Sequence, residues 1–334
     1  MSAIHGTPNM IPSNAFRPAA CLRNGHVQTI LASSRVRVLG KNPMVEAAQE
    51  VILDAGDGVL LLGFHSVQPE GKTKGLVILL HGWEGSVDSA YILRTGRTLF
   101  QNGYDVFRLN YRDHGESHHL NEGLFYAILL EEVFESVKQA ARLADRIPVF
   151  LAGFSLGGNF ALRIARKCLQ EPIENLGHIV TISPLLDPDK ATDKIDANPL
   201  YRKYFVKKWR QSLEKKQRLF PHLYDFSGLL SQSTIRGLTD VLLSGYSPYG
   251  STREYFQGYT LLRGALKETR IPTTLVASAD DPIIPIEDFH TLETNQRMNL
   301  AIQQYGGHNG FIGGLSLQNW YEAEMVKLFN GLLS

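Results

Sequence analysis

Two cysteines in 334 residues, Cys21 and Cys168, exclude a disulfide framework, and alone they cannot build a structural zinc site. Nothing in the chain therefore requires an oxidising compartment. A surplus of one charge is also lacking. The 34 Lys and Arg against 33 Asp and Glu leave a net charge of +1, which removes any whole-molecule electrostatic argument for a nucleic-acid partner. Long apolar runs are missing: the densest, around Leu76–Leu80, falls far short of the ~20 residues that span a bilayer. Met1–Ala15 has neither the basic leader nor the apolar stretch of a secretory signal. Internal repeats and low-complexity tracts are absent. The expectation is a soluble, cytoplasmic protein with no nucleic-acid partner.

What is present is a globular composition, 43% hydrophobic and 20% charged, outside the disordered and collagen-like classes. A length of 334 suggests two domains of ~150 residues, or one α/β domain of up to ~250 with roughly 80 residues to spare. Val51–Leu53 and Val59–Phe64 flank Asp54-Ala-Gly-Asp-Gly58, which predicts a hairpin. Short apolar strands then alternate with helices. Strands are expected at Gly75–Leu80, Tyr104–Leu109, Ile147–Ala152, His178–Ile182, Thr273–Ala277 and Asn299–Tyr305. Helices are expected at Ala90–Asn102, Leu124–Leu143, Asn159–Cys168 and Asn319–Leu333. Such alternation predicts an α/β fold with a mostly parallel central sheet flanked by helices. The rhythm breaks between Ser183 and Thr273, where an ordinary connection takes ~2–6 residues outside its helix. The expected organisation is a core from 1–183 and 272–334, with an N-terminal extension at 1–45 and a mainly helical lid inserted at 184–271.

Gly153-Phe-Ser155-Leu-Gly157 follows an expected strand and opens an expected helix. In that setting G-x-S-x-G reads as a nucleophile elbow. The turn is so sharp that only small residues fit two positions before and after the serine, whose Oγ is lifted above the sheet edge. The helix N-terminus beyond Ser155 brings backbone N–H groups and a positive dipole end beside a developing oxyanion. The strand Leu76–Leu80 ends in His81-Gly82-Trp83-Glu84-Gly85. In an elbow hydrolase one oxyanion donor comes from this loop and the other follows the nucleophile, which assigns Trp83 N–H and Leu156 N–H. His81 is expected to structure the loop.

The partners of such a serine follow in the order acid, then histidine. Asp280 and Asp281 lie just past the strand ending at Ala277, and His308 lies in Gly306-Gly-His-Asn-Gly310 after the last strand. Asp281 is the preferred acid because Pro282 follows it and Pro285 comes soon after; Asp280 and Asp187 compete. His308 would take the Ser155 proton and return it to the leaving group, while the acid fixes the histidine tautomer.

Further motifs carry a wider likeness. They are Leu22-Arg-Asn-Gly-His26-Val-Gln-Thr29, His81-Gly-Trp-Glu-Gly-Ser86, Asn110-Tyr-Arg-Asp-His-Gly-Glu-Ser117, Ala279-Asp-Asp-Pro282 and Gly307-His-Asn-Gly-Phe311. With the elbow they span nearly the whole chain, which resembles an α/β-hydrolase of the YheT-type group related to the ABHD1 and ABHD3 esterases. Gly25, Trp83 and Asp113 depart from the residues frequent there. The resemblance implies a serine carboxylester hydrolase without a cofactor, acting on small-molecule or lipid-like esters. The same acyl-enzyme would serve an alcohol acyltransferase, and the fold alone would suit a non-catalytic ligand-binding protein.

Two other constellations stand out. His114, His118 and His119 share a loop with Asp113 and Glu116, a metal-binding composition weighed against a loop that braces the site. The stretch Tyr201–Phe220 holds eight basic residues against Glu214 alone, a local +7. Tyr201, Phe205, Trp209 and Leu213 recur every four residues along it. That pattern fits a lid helix with its apolar face on the site, and also a peripheral contact with an anionic membrane surface.

Overall fold

Leu76–Leu80 is buried along its whole length, and its side chains alternate between two cores. Leu76, Ile78 and Leu80 enter one cluster, and Val77 and Leu79 the other. A strand apolar on both faces needs helices on both faces. The structure is a computed structural model and describes residues 11–334; of the segment Met1–Ala15, the first ten residues thus lie outside the described ones.

Eight strands form one sheet: β1 (Ala48–Asp54), β2 (Leu60–Ser66), β3 (Leu76–Leu80), β4 (Asp105–Leu109), β5 (Val149–Phe154), β6 (Leu176–Ile182), β7 (Thr273–Ser278) and β8 (Met298–Gln303). Their order is β1-β2-β4-β3-β5-β6-β7-β8. β1 and β2 are the expected hairpin, and β2 runs antiparallel to both its neighbours. The other pairs are parallel, so their carboxyl ends gather on one edge, where sites of such sheets form.

The helices are α1 (Gly25–Ala32), α2 (Pro43–Glu46), α3 (Ala90–Gln101), α4 (Leu130–Arg142), α5 (Leu156–Lys167), α6 (Pro188–Ala197), α7 (Pro199–Leu219), α8 (Ile235–Tyr246), α9 (Thr252–Gln257), α10 (Ile286–His290) and α11 (Trp320–Leu333). α3 and α11 supply Leu99, Tyr321 and Leu328 to one core; α4 and α5 supply Val133, Phe134 and Phe160 to the other. Four helices, α6–α9, lie between β6 and β7. Asn198 caps α7 by accepting from Leu200 N, with Pro199 at the first helical position, a start signal legible in sequence.

Two elements differ from expectation. The helix expected from Leu124 begins at Leu130. The backbone ahead of it is claimed by tertiary partners: Phe125 N–H donates to Asp113 Oδ2, Ala127 N–H donates to the Tyr255 hydroxyl, and Arg163 takes the carbonyls of Ala127 and Ile128. With those groups committed, the first turn cannot close. The N-terminal extension, where no helix was expected, contains α1, capped by Asn24, which accepts from His26 N and Val27 N.

Candidate active site

Ser155 stands between β5 and α5 with φ 54° and ψ −115°, a left-handed conformation costly for a residue with a side chain, on the order of 1–3 kcal/mol. The turn is held on both sides: Ser155 N–H donates to Ile182 O at 3.0 Å, and Leu185 N–H donates to Ser155 O at 3.1 Å. Gly157 is obligatory by close approach, since a Cβ there would sit 2.3 Å from Leu80 O. α5 starts immediately at Leu156. Its first N–H groups have no intrahelical acceptor by construction, and the helix dipole adds positive potential at that end.

β3 pairs with β5 in the register Leu80↔Gly153, which carries the loop after β3 alongside the elbow. Three donors flank Trp83 N–H, one before it and two after. Gly82 N–H donates to the Tyr91 hydroxyl, Glu84 N–H to His114 Nε2, and Gly85 N–H to Gly82 O. Trp83 N–H, between them, donates to no protein group among the described residues. The His114 ring is oriented by its other nitrogen, 2.8 Å from Arg112 O, so the proton sits on Nδ1 and Nε2 accepts. Burial pushes the His114 pKa down to about 4, which keeps that tautomer neutral. His81 is buried with Nδ1 2.8 Å from Gly82 O.

At the carboxyl end of β7 the two aspartates part. Asp281 Oδ2 lies 2.9 Å from His308 Nδ1, while its Oδ1 accepts from Ile283 N and Ile284 N at 2.7 and 2.9 Å. Asp280 Oδ1 accepts from Gly307 N–H at 2.8 Å, and burial raises its pKa. Asp187 caps α6, accepting from Asp189 N and Lys190 N. Ser155, Leu156, Trp83 and His308 all line one cavity, and Asp281 stands behind His308. The Ser155 hydroxyl makes no hydrogen bond of its own among the described residues.

Sequence reasoning missed the support of the histidine loop. Thr29 Oγ1 accepts from His308 N–H at 2.9 Å and donates to Gly25 O at 2.7 Å. One residue away, Gln28 Oε1 accepts from Ile312 N–H, and its Nε2 donates to Leu22 O and Ile312 O. Gly307 has φ +53°, and a Cβ on it would meet Gly25 O at 2.3 Å. α1 therefore lies hard against the loop that carries His308. The available signal was the motif around His26–Thr29 itself, which no periodicity explained.

The cavity has a volume of about 250 Å³. Its inner wall is apolar, built by Leu185, Ile195, Ile235, Leu242 and Phe256, mostly from α6, α8 and α9. Its outer edge is polar, with Ser33, Arg35, Asp88, Tyr204 and Lys208. α7 sits over the loop after β3. Phe205 stacks on Trp83 at 5.6 Å, Trp209 meets it edge-on at 5.0 Å, and Lys208 Nζ donates to Glu84 O at 3.0 Å. The four-residue stripe is thus an inward face, with Tyr201 and Leu213 buried. Glu84, also on the wall, has its carboxyl pushed up to about 8 by burial.

The histidine-rich loop is braced by a buried cation. Lys216 Nζ pairs with Asp113 Oδ1 at 2.8 Å and donates to Asn121 O and Gly123 O. Burial raises the Asp113 pKa and lowers that of Lys216, against the pull of the ion pair. His118 Nε2 lies 2.9 Å from Ser212 Oγ. No group of three or more His, Cys, Asp or Glu that could hold a metal ion occurs among the described residues.

Comparison with known proteins gives the family and the fold. The family model described as "Serine aminopeptidase, S33" (Hydrolase_4) matches residues 71–307. YheT of Escherichia coli (strain K12) is 23% identical over 320 residues, covering 94% of this chain and 92% of that protein. Phospholipase ABHD3 of Homo sapiens is 23% identical over 344 residues, covering 96% and 79%. The Pyrococcus furiosus esterase Pf2001 superposes with a TM-score of 0.55 at 18% identity, covering 99% of this chain and all of that one. At that identity the last likeness speaks to the fold, that of the α/β-hydrolases.

Proposed function

The chain belongs to the family described as Serine aminopeptidase, S33 and is a serine hydrolase of the α/β-hydrolase fold; from that premise we propose that it hydrolyses apolar acyl esters through an acyl-enzyme on Ser155. His308 is the general base. Its Nε2 takes the hydroxyl proton as Oγ attacks the ester carbonyl, and returns it to the leaving alkoxide when the acyl C–O bond breaks. Asp281 holds the other ring nitrogen as N–H and stabilises the imidazolium. Trp83 N–H and Leu156 N–H receive the oxyanion, each such donor being worth about 10²–10³ in rate. Water then attacks the acyl-enzyme with His308 again as base. The observation that carries the reading is the 2.9 Å contact of His308 Nδ1 with Asp281 Oδ2 behind the cavity that Ser155 faces.

The wall chemistry favours esters over amino-acyl amides. An aminopeptidase substrate brings an ammonium group that wants a free carboxylate. The acids lining this cavity are Glu84, pushed up to about 8, and Asp88, 3.5 Å from Arg108. A volume of about 250 Å³ lies just under the ~300–1,000 Å³ of drug-sized ligand sites, so short to medium acyl chains are the substrate class. The insertion 184–271 acts as the lid that walls the acyl end. Related proteins include one named a phospholipase, in keeping with a lipid-like ester here.

The test is a graded panel of p-nitrophenyl esters, from acetyl to long-chain, beside an amino-acid anilide. The wild type should turn over the shorter esters and react with a fluorophosphonate, and Ser155→Ala should do neither. A wild type inert to every ester and to the probe overturns the reading.

A further inference from the structure

The basic stretch of α7 is not a free positive face. Five of its eight cations are engaged by the protein: Arg202 with Asp196 O, Lys208 with Glu84 O, Arg210 with Gln232 O, Lys215 with Glu116, and Lys216 with Asp113. Its apolar stripe faces inward. What α7 leaves in solvent is its outer flank, where Leu200 is 55% exposed and Tyr204 44%, with Lys203 and Lys207 beside them on the same side.

That flank does not stand alone. Tyr204 and Lys208 edge the active cavity together with Ser33, Arg35 and one acid, Asp88, which lies 3.5 Å from Arg108, so the mouth opens between α7 and the segment that follows α1. His26 of α1 joins the two, with Nδ1 2.8 Å from the Tyr201 hydroxyl and the rings stacked at 5.7 Å. On the α1 side the solvent again meets large apolar side chains: Ile30 is 54% exposed, Val36 65% and Leu39 71%. Scattered exposed apolar residues are ordinary, but a patch rimmed by charge at the mouth of a site marks an interaction surface.

The charge pattern selects the partner. Residues 11–45 and 199–213 contain no Asp or Glu at all, in a chain with 33 of them. Both stretches place cations in solvent: Arg35 and Lys41 in the first, Lys203 and Lys207 in the second. We infer that this cationic, apolar rim seats the cavity mouth on an anionic lipid surface, so that the ester enters directly from the lipid phase. Apolar side chains enter the headgroup region while Lys and Arg stay with the anionic headgroups. The inference rests on the ester-hydrolase reading for what enters the mouth, though not for the docking itself.

The experiment uses the full chain and two sets of vesicles, phosphatidylcholine alone and phosphatidylcholine mixed with phosphatidylglycerol. The wild type should co-sediment with the mixed vesicles, weakly with the neutral ones, and be released by salt. Lys203→Gln with Lys207→Gln should lower partition roughly thirtyfold, about fivefold for each lysine near the surface. Ile30→Glu with Leu200→Glu should abolish it. None of these residues lines the cavity, so turnover of a soluble short ester stays at the wild-type level, which also shows that the variants fold. Hydrolysis of an ester dispersed in the mixed vesicles falls with binding. Failure of the wild type to bind, or equal binding by all variants, overturns the inference while soluble-ester turnover still reports on the active site. It is equally overturned if the wild type ignores vesicles but self-associates through Leu200.

Discussion

Thr29→Val tests whether the N-terminal segment belongs to the active site. Valine keeps the shape of threonine and removes its hydroxyl. The loss strands His308 N–H, held at 2.9 Å, and frees Gly25 O, held at 2.7 Å, in a buried setting. An orphaned buried donor costs about 1–3 kcal/mol. An unfolding entropy of about 2.1 cal/mol/K per residue gives roughly 0.7 kcal/mol/K for the chain, so a 2 kcal/mol loss lowers Tm by about 3 °C. That much follows from any buried hydroxyl. The specific consequence is kinetic. His308 sits on the peptide that loses its anchor, and a misplacement approaching 1 Å costs about a hundredfold. Turnover of a short p-nitrophenyl ester should show kcat reduced about ten- to a hundredfold with KM little changed, because the cavity wall is intact. Thr29→Ser, which keeps the oxygen, should restore most of kcat. A valine variant that melts lower yet keeps the parent kcat refutes the reasoning and leaves Thr29 a structural residue only.

Three further outcomes follow from the same geometry. Asp281→Asn should lower kcat by about 10⁴ by presenting the wrong hydrogen-bonding partner to His308, while Asp280→Asn, which touches Gly307 N–H instead, stays within about tenfold; the reverse pattern would move the acid to Asp280. Lys216→Met leaves Asp113 buried without its cation and should cost about 3–5 kcal/mol, a fall of about 4–7 °C in a thermal melt, with partial recovery in the double variant carrying Asp113→Asn. Glu84 gives a pH test. Its carboxyl titrates near 4.5 when unfolded and about 8 when folded, so between those values the folded state holds a proton that the unfolded state has lost. Stability from this group therefore falls as pH rises through that window. Glu84→Gln should gain on the parent in melts across the window and match it below, and parallel curves would refute the assignment.

Much of this was legible because it is local. Strand Leu76–Leu80, the elbow at Ser155 and the acid and histidine loops each declare themselves within about ten residues, through continuous apolar runs and glycine-spaced turns. The distant contacts were not. Thr29 meets His308 across 279 positions, and neither end carries a trace of the other. The start of α4 was misplaced for the same reason: the apolar spacing from Leu124 onward suits a helix, but Arg163 and Tyr255 take the backbone groups that a first turn needs. The charges of Tyr201–Phe220 summed to +7 on paper, and only the folded neighbours reveal which of them remain for solvent.

The clasp between α1 and the histidine loop also sets when the enzyme comes into being. Synthesis proceeds at about 5–20 residues per second, so Thr29 waits something like 15 to 60 seconds for His308 to be joined to the growing chain. Until then the elbow has no base beside it, and α1, which meets Tyr201 through His26, lacks the histidine loop it clasps. The nascent chain thus lacks the base that Ser155 needs until the residues beyond β8 have been made.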